Sequence, residues 1–252
     1  MKSYFRYLCL LVFGILLLGA IAALPEDPHF DVSLKRIGLA RLPVAAIDST
    51  ATAAVDTVPR FVTDTSAQHF LLIGDSMSEH VRVRLNDYCV KNGHSADCVI
   101  WYSATSVWYG QTDTLSWFLD KYKPTYVLIN LGSNELFVDR IKEKRATYVR
   151  HIVEQLNGLS YVWIGPPNWK EDTGINELID EIAGDGHYFD SRRLTYERAS
   201  DGAHPVRSSS YNWMDSLAVY LRNDAATRIR MDYPDQYLHK APPTQIVQRK
   251  KK

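Results

Sequence analysis

Ser76, Asp201 and His204 are the side chains of this chain whose types and spacing suit nucleophilic catalysis. Ser76 stands in Gly74-Asp75-Ser76-Met77, directly behind the apolar run Phe70-Leu71-Leu72-Ile73. A buried strand that ends in such a turn lifts a hydroxyl to the C-terminal edge of a parallel sheet, where α/β folds build their sites. The plain alternative is a helix start with Ser76 or Ser78 as its cap. A serine hydroxyl is a weak nucleophile until a base removes its proton, and the base needs a carboxylate to fix its tautomer. Asp201-Gly202-Ala203-His204-Pro205 offers both, since an aspartate three residues ahead of a histidine can hold one ring nitrogen while the other faces outward. A third segment, Gly132-Ser133-Asn134-Glu135, follows the apolar run Tyr126-Val127-Leu128-Ile129-Asn130-Leu131 and carries an amide able to donate to a developing oxyanion.

In this order, Ser76, Gly132-x-Asn134 and Asp201-x-x-His204 resemble the SGNH hydrolase superfamily, the GDSL-type esterases and lipases, over residues 68–223. The resemblance implies a flavodoxin-like α/β fold, with Ser76 as nucleophile, His204 as base, Asp201 as its orienter, and Gly132 and Asn134 on the oxyanion side. No cofactor and no metal is implied. One family block departs. After the strand Cys98-Val99-Ile100-Trp101-Tyr102 the family places a glycine whose backbone N–H completes the oxyanion hole, whereas this chain reads Ser103-Ala104-Thr105-Ser106-Val107-Trp108-Tyr109-Gly110. Any residue except proline offers an N–H, so Thr105 or Ser106 is expected to stand in.

The elements that must position these groups alternate between apolar runs and amphipathic stretches. Strands are expected at residues 69–73, 99–102, 126–131, 161–164 and 187–189, and helices at 79–91, 114–122, 138–156, 176–183 and 208–222. This pattern predicts a three-layer α/β/α sandwich around a central parallel sheet of about five strands. Ser76, residues 103–110, Gly132 to Glu135, residues 165–170 and His204 then all leave C-terminal strand ends and converge on one rim. The same rim loops carry Trp108 and Trp169, whose flat rings suit a sugar or an aromatic acyl group. His80 lies one helical turn beyond Ser76. Asp185, His187 and Asp190 point in alternating directions and make a poor metal set.

With 252 residues, the chain is long enough for one sizeable core. Lys and Arg total 29 against 29 for Asp and Glu, so no global field recruits nucleic acid or an anionic membrane. Residues 1–24 hold a long apolar run behind Lys2 and Arg6, which reads as a signal peptide with Ala20-Ile21-Ala22 as its exit or as a membrane anchor. Either way the charge balance places the remainder outside the cytoplasm, in the periplasm or cell envelope. Residues 25–67 have the composition of a tether, 68–232 of the domain, and 233–252 of a polar tail ending in Arg249-Lys250-Lys251-Lys252. Cys89 and Cys98 flank a turn with Asn92-Gly93, and in an oxidising space they are expected to form a disulfide. The expected partner is an acylated carbohydrate or another small ester, with the membrane added if the N-terminus is uncleaved. The competing readings are a non-catalytic glycan-binding protein that keeps the fold, and a lipase or thioesterase.

Overall fold

The computed structural model describes residues 62–247, so the N-terminal apolar segment, nearly all of the expected tether and the terminal basic run lie outside the described residues. Six parallel strands form one sheet: β1 (His69–Gly74), β2 (Ser95–Trp101), β3 (Tyr126–Asn130), β4 (Ser160–Ile164), β5 (Tyr188–Phe189) and β6 (Thr244–Val247). Their order is β5-β4-β3-β1-β2-β6. The inner strands are covered on both faces, which is why they read as unbroken apolar runs.

Alternate residues of each strand sort into two layers. Phe70, Leu72, Cys98, Tyr126 and Leu128 pack with Val81 and Leu85 of α1 (Ser78–Asn92) and with Trp213, Met214 and Leu217 of the last helix, α6 (Arg207–Asn223). Leu71, Ile73, Val99, Val127 and Ile129 face the other way, toward α3 (Thr114–Tyr122), α4 (Ile141–Gln155) and α5 (Ile175–Ala183) through Leu115, Phe118, Val149, Ile152 and Ile179. A five-residue helix, α2 (Ser106–Gly110), lies on α4. A Cβ at Gly110 would meet the Tyr148 carbonyl oxygen at 2.3 Å, so glycine permits that approach.

The chain runs from β1 outward to β2 and then crosses to β3 on the other side of β1. The C-terminal ends of β1 and β3 therefore form the switch point at which sheets of this order bind ligands. Ser76 follows β1, and Asn134 follows β3.

Three expectations are corrected. The sheet has six strands rather than about five, because Thr244–Val247 pairs with β2, Cys98 standing opposite Thr244. Residues 233–247 were expected in a polar tail, whereas Thr244–Val247 of that segment form an edge strand that pairs, among the described strands, with β2 alone. That segment is also held by Arg84, which is wholly buried, donates to Asp215 at 2.7 Å and to Asp87 at 3.1 Å, and lies 4.3 Å from the Tyr237 ring centre and 4.9 Å from that of Tyr233. Second, residues 106–110 are helical. Third, Cys89 and Cys98 are free, buried thiols rather than a disulfide. Both lie in the apolar layer between the sheet and α1, where each serves as a small core side chain. Burial pushes the Cys89 thiol up to about 12 and that of Cys98 higher than its ordinary value.

Candidate active site

Ser76 is placed by the abrupt end of β1. A Cβ at Gly74 would meet Ser78 Oγ at 1.9 Å and Ser78 Cβ at 3.0 Å, so glycine lets the strand enter the turn without displacing the Ser78 side chain. The turn is closed by Asp75, whose Oδ1 accepts the Met77 N–H at 2.9 Å. His204 arrives from a hairpin in which the Ala199 N–H donates to the His204 carbonyl at 2.8 Å. Arg198 braces this hairpin by donating to the carbonyls of Ala203 at 2.6 Å, Pro167 at 3.0 Å and Asn168 at 2.9 Å.

The three expected residues meet. His204 Nε2 lies 2.8 Å from Ser76 Oγ, and His204 Nδ1 lies 2.6 Å from Asp201 Oδ2. A carboxylate only accepts, so Nδ1 carries the proton and Nε2 is left to accept the Ser76 hydroxyl hydrogen. Asp201 Oδ1 meanwhile accepts the backbone N–H groups of Ala203 at 2.9 Å and His204 at 3.0 Å. The Ala203 N–H, the His204 ring and the His204 N–H together hold the Asp201 carboxyl down at about 2. It is therefore ionised throughout the range in which a histidine base works.

The oxyanion side is built differently. Asn134 Nδ2 donates to Asp75 Oδ2 at 2.9 Å and to the Ala104 carbonyl at 3.0 Å. Ser106, an expected oxyanion donor, is corrected: its N–H donates to Glu135 Oε2 at 2.8 Å and its hydroxyl to Glu135 Oε1 at 2.9 Å. Glu135 is wholly buried and also accepts from Arg145 Nε. The Ala104 N–H is taken by the Trp101 carbonyl at 2.9 Å. The N–H groups of Ser76 and Thr105 have no acceptor among the described residues. Gly132 contributes a backbone at φ 122°, where a Cβ would press on Pro166 at 3.2 Å, so it shapes the turn that carries Asn134.

A cleft of about 410 Å³ opens beside Ser76 and His204, walled by Met77, Glu79, His80, Tyr102 and Val206 among others. His80 is half-buried, and burial together with the nearby Arg207 lowers its pKa. Glu79 accepts from Tyr102 Oη and from Arg82 Nη2 at 2.6 Å, which ties the two walls of the cleft together. The expected aromatic contacts are not on this cleft. Trp108 packs on Trp101 with ring centres 4.9 Å apart and against the core. Trp169 donates its indole N–H to the Ser133 carbonyl at 3.1 Å, beside Asn134. No group of three His, Cys, Asp or Glu side chains able to hold a metal occurs among the described residues.

Sequence reasoning names Asp75 and Glu135 only as members of motifs and gives neither a role. Asp75 carries a signal nonetheless, being a carboxylate directly behind an apolar strand, whereas Glu135 stands in the turn that follows β3. Arg198 gives no signal, because its three acceptors are backbone carbonyls on two different loops.

No family model and no curated protein matches the chain. Solved structures do. A psychrotrophic esterase, EstA from Pseudoalteromonas sp., is 18% identical over 61% of this chain and 96% of its own, with a TM-score of 0.49. TesA is 18% identical over 62% of this chain and 98% of its own, at 0.45. A family 3 carbohydrate esterase from Clostridium thermocellum is 17% identical over 62% of this chain and 95% of its own, with a TM-score of 0.50. The likeness to the carbohydrate esterase shows a shared fold, an α/β fold around a parallel sheet.

Proposed function

We propose that this protein is a serine-dependent esterase of the SGNH type acting on carboxylic esters, most concretely O-acetyl groups of a glycan outside the cytoplasm. The observation that carries this reading is the unbroken chain from Ser76 Oγ to His204 at 2.8 Å and from His204 to Asp201 at 2.6 Å, at the switch point of the sheet. Ser76 Oγ attacks the ester carbonyl as His204 Nε2 takes its proton, and Asp201 stabilises the imidazolium so formed. The tetrahedral oxyanion is held by the Ser76 N–H and by Asn134, which shares a hydrogen now given to Asp75 or Ala104. Collapse expels the alcohol, protonated by His204, and leaves an acyl group on Ser76. Water then attacks with His204 as base, or a sugar hydroxyl does so in a transferase.

A cleft of about 410 Å³ beside Ser76 and His204 has room for an ester substrate, and hydrolysis rates across acyl chain lengths separate the acetyl reading from a long-chain one. Export is supported by the apolar run behind Lys2 and Arg6. The test is labelling with a fluorophosphonate probe followed by mapping of the modified residue, together with acetate release from a panel of acetylated glycans. Labelling at Ser76 with acetate release supports the reading; an unlabelled protein overturns it.

A glycan-binding protein without turnover is the second reading, favoured by one observation. Both hydrogens of the Asn134 amide are engaged within the protein, so the oxyanion side is not standing open. The same labelling experiment decides between the two, because phosphonylation needs the activated serine.

A further inference from the structure

Asp75 adjoins the nucleophile, is wholly buried, and takes no part in the proton transfers just described. Its two oxygens serve two separate donors. Oδ1 accepts the Met77 N–H at 2.9 Å, which shapes the turn carrying Ser76, and Oδ2 accepts Asn134 Nδ2 at 2.9 Å. The other hydrogen of that amide goes to the Ala104 carbonyl at 3.0 Å, in the loop that Glu135 holds through Ser106.

An asparagine amide presents a donor nitrogen and an acceptor oxygen of nearly equal size, and its rotation exchanges them. Only the nitrogen can stabilise an oxyanion. Whatever fixes the rotation therefore fixes whether Asn134 helps or hinders the reaction. Two acceptors on one side of the amide hold its nitrogen toward them, and Asp75 supplies the side-chain one of the two. The arrangement parallels that of Asp201, which fixes which nitrogen of His204 carries the proton.

We propose that Asp75 is a positioning residue for ester cleavage, holding the Asn134 amide with its nitrogen toward the Ser76 turn and coupling that orientation to the Met77 N–H. This role rests on the esterase reading above. The energetic setting agrees with a specific purpose: burial pushes the Asp75 carboxyl up to about 7, against the opposing pull of the Met77 N–H and of His204, so an aspartate here is costly to the fold.

The test is the variant Asp75→Asn, which leaves one acceptor oxygen where two donors arrive. The turnover of a short-chain aryl ester should fall about ten- to a hundredfold, less than the hundred- to thousandfold expected for an oxyanion donor lost outright, with KM within about twofold. A double-mutant cycle separates positioning from general damage. In an Asn134→Leu background, Asp75→Asn should lower kcat by less than about threefold more, because the amide it orients is gone. Full turnover in Asp75→Asn, or an effect that multiplies undiminished onto Asn134→Leu, overturns the role. Should the variant not fold, nuclear magnetic resonance of the unaltered protein decides. The Asn134 side-chain amide hydrogens should exchange with solvent at least about tenfold more slowly than those of a free asparagine, and exchange at the free rate overturns the role. A wild-type protein with no turnover and no phosphonylated Ser76 sinks the esterase reading and this role with it, whereas full turnover in Asp75→Asn sinks this role alone.

Discussion

The two halves of the candidate site hold their carboxylates in opposite ways. On the acid–base side, the Asp201 side chain is 50% exposed, and its partners all belong to its own four-residue turn. On the oxyanion side, Asp75 and Glu135 are wholly buried, and each takes a partner from a distant segment, Asn134 for Asp75 and Ser106 for Glu135. Local donors hold the first carboxyl at about 2, while burial drives Asp75 to about 7. The carboxylate that faces His204 is thus kept in contact with water and its own backbone, while the buried carboxyls bridge distant segments. Desolvation is the reason, since an ion taken out of water must be compensated by several donors at once.

The largest effects should separate the reacting groups from everything that holds them. Ser76→Ala and His204→Ala should each lower kcat by a factor on the order of 10⁴ to 10⁶ with the fold retained, since loss of either member of such a pair removes covalent catalysis as a whole. Stopped assays on a short-chain aryl ester check this, and a Ser76→Ala variant at wild-type rate would erase the distinction between the two halves.

Asp201→Asn should cost up to about 10⁴-fold in kcat through the wrong imidazole tautomer, the size the serine-protease precedent gives for a buried aspartate. Because Asp201 stays ionised down to about 2, its own protonation should not shape the kcat–pH profile above pH 4. A profile whose acid limb moves with Asp201→Asn at pH 3 to 4 only would contradict the pull of its local donors.

Asn134→Leu should lower kcat by about a hundred- to a thousandfold while leaving KM nearly unchanged, as expected for a donor that acts only in the transition state. An equal change in KM would mean that Asn134 binds the ground state instead.

The buried carboxylate gives a smaller, thermodynamic signature. The folded pKa of Asp75, about 7, lies above the unfolded value, so the folded state binds this proton more tightly. Its contribution to stability is complete below about pH 4 and is lost as pH rises through about 7. Thermal melts from pH 5 to 8 should therefore show wild type losing Tm faster than Asp75→Asn, and parallel curves would place Asp75 among the ordinary carboxylates. Smallest of all is the effect of reductant. Alkylation of the unfolded protein without reductant should modify both Cys89 and Cys98, and added reductant should leave Tm unchanged.

The residues legible in the sequence are those whose partners are close in the chain. Asp201 and His204 interact across three positions through a glycine turn, and Ser76 follows its strand directly, so spacing conveys that pair and the placement of the serine, whereas the meeting of Ser76 with His204, far apart in the chain, depends on the sheet order. Strands β1, β3 and β4 are equally plain, because burial on both faces forces a continuous apolar run. What the tertiary structure alone decided are the pairings between distant segments. Glu135 engages the Ser106 N–H and removes it from the oxyanion candidates, Asp75 takes the Asn134 amide, and Thr244–Val247 finds the open edge of β2 despite its polar composition. Cys89 and Cys98 lie close in the chain, yet the turn between them delivers both into the core as free thiols. Periodicity and spacing record what a residue does to its neighbours within a turn or a strand. Which acceptor a buried donor finds depends on which loops the sheet order brings together, and that order is fixed only when the whole core packs.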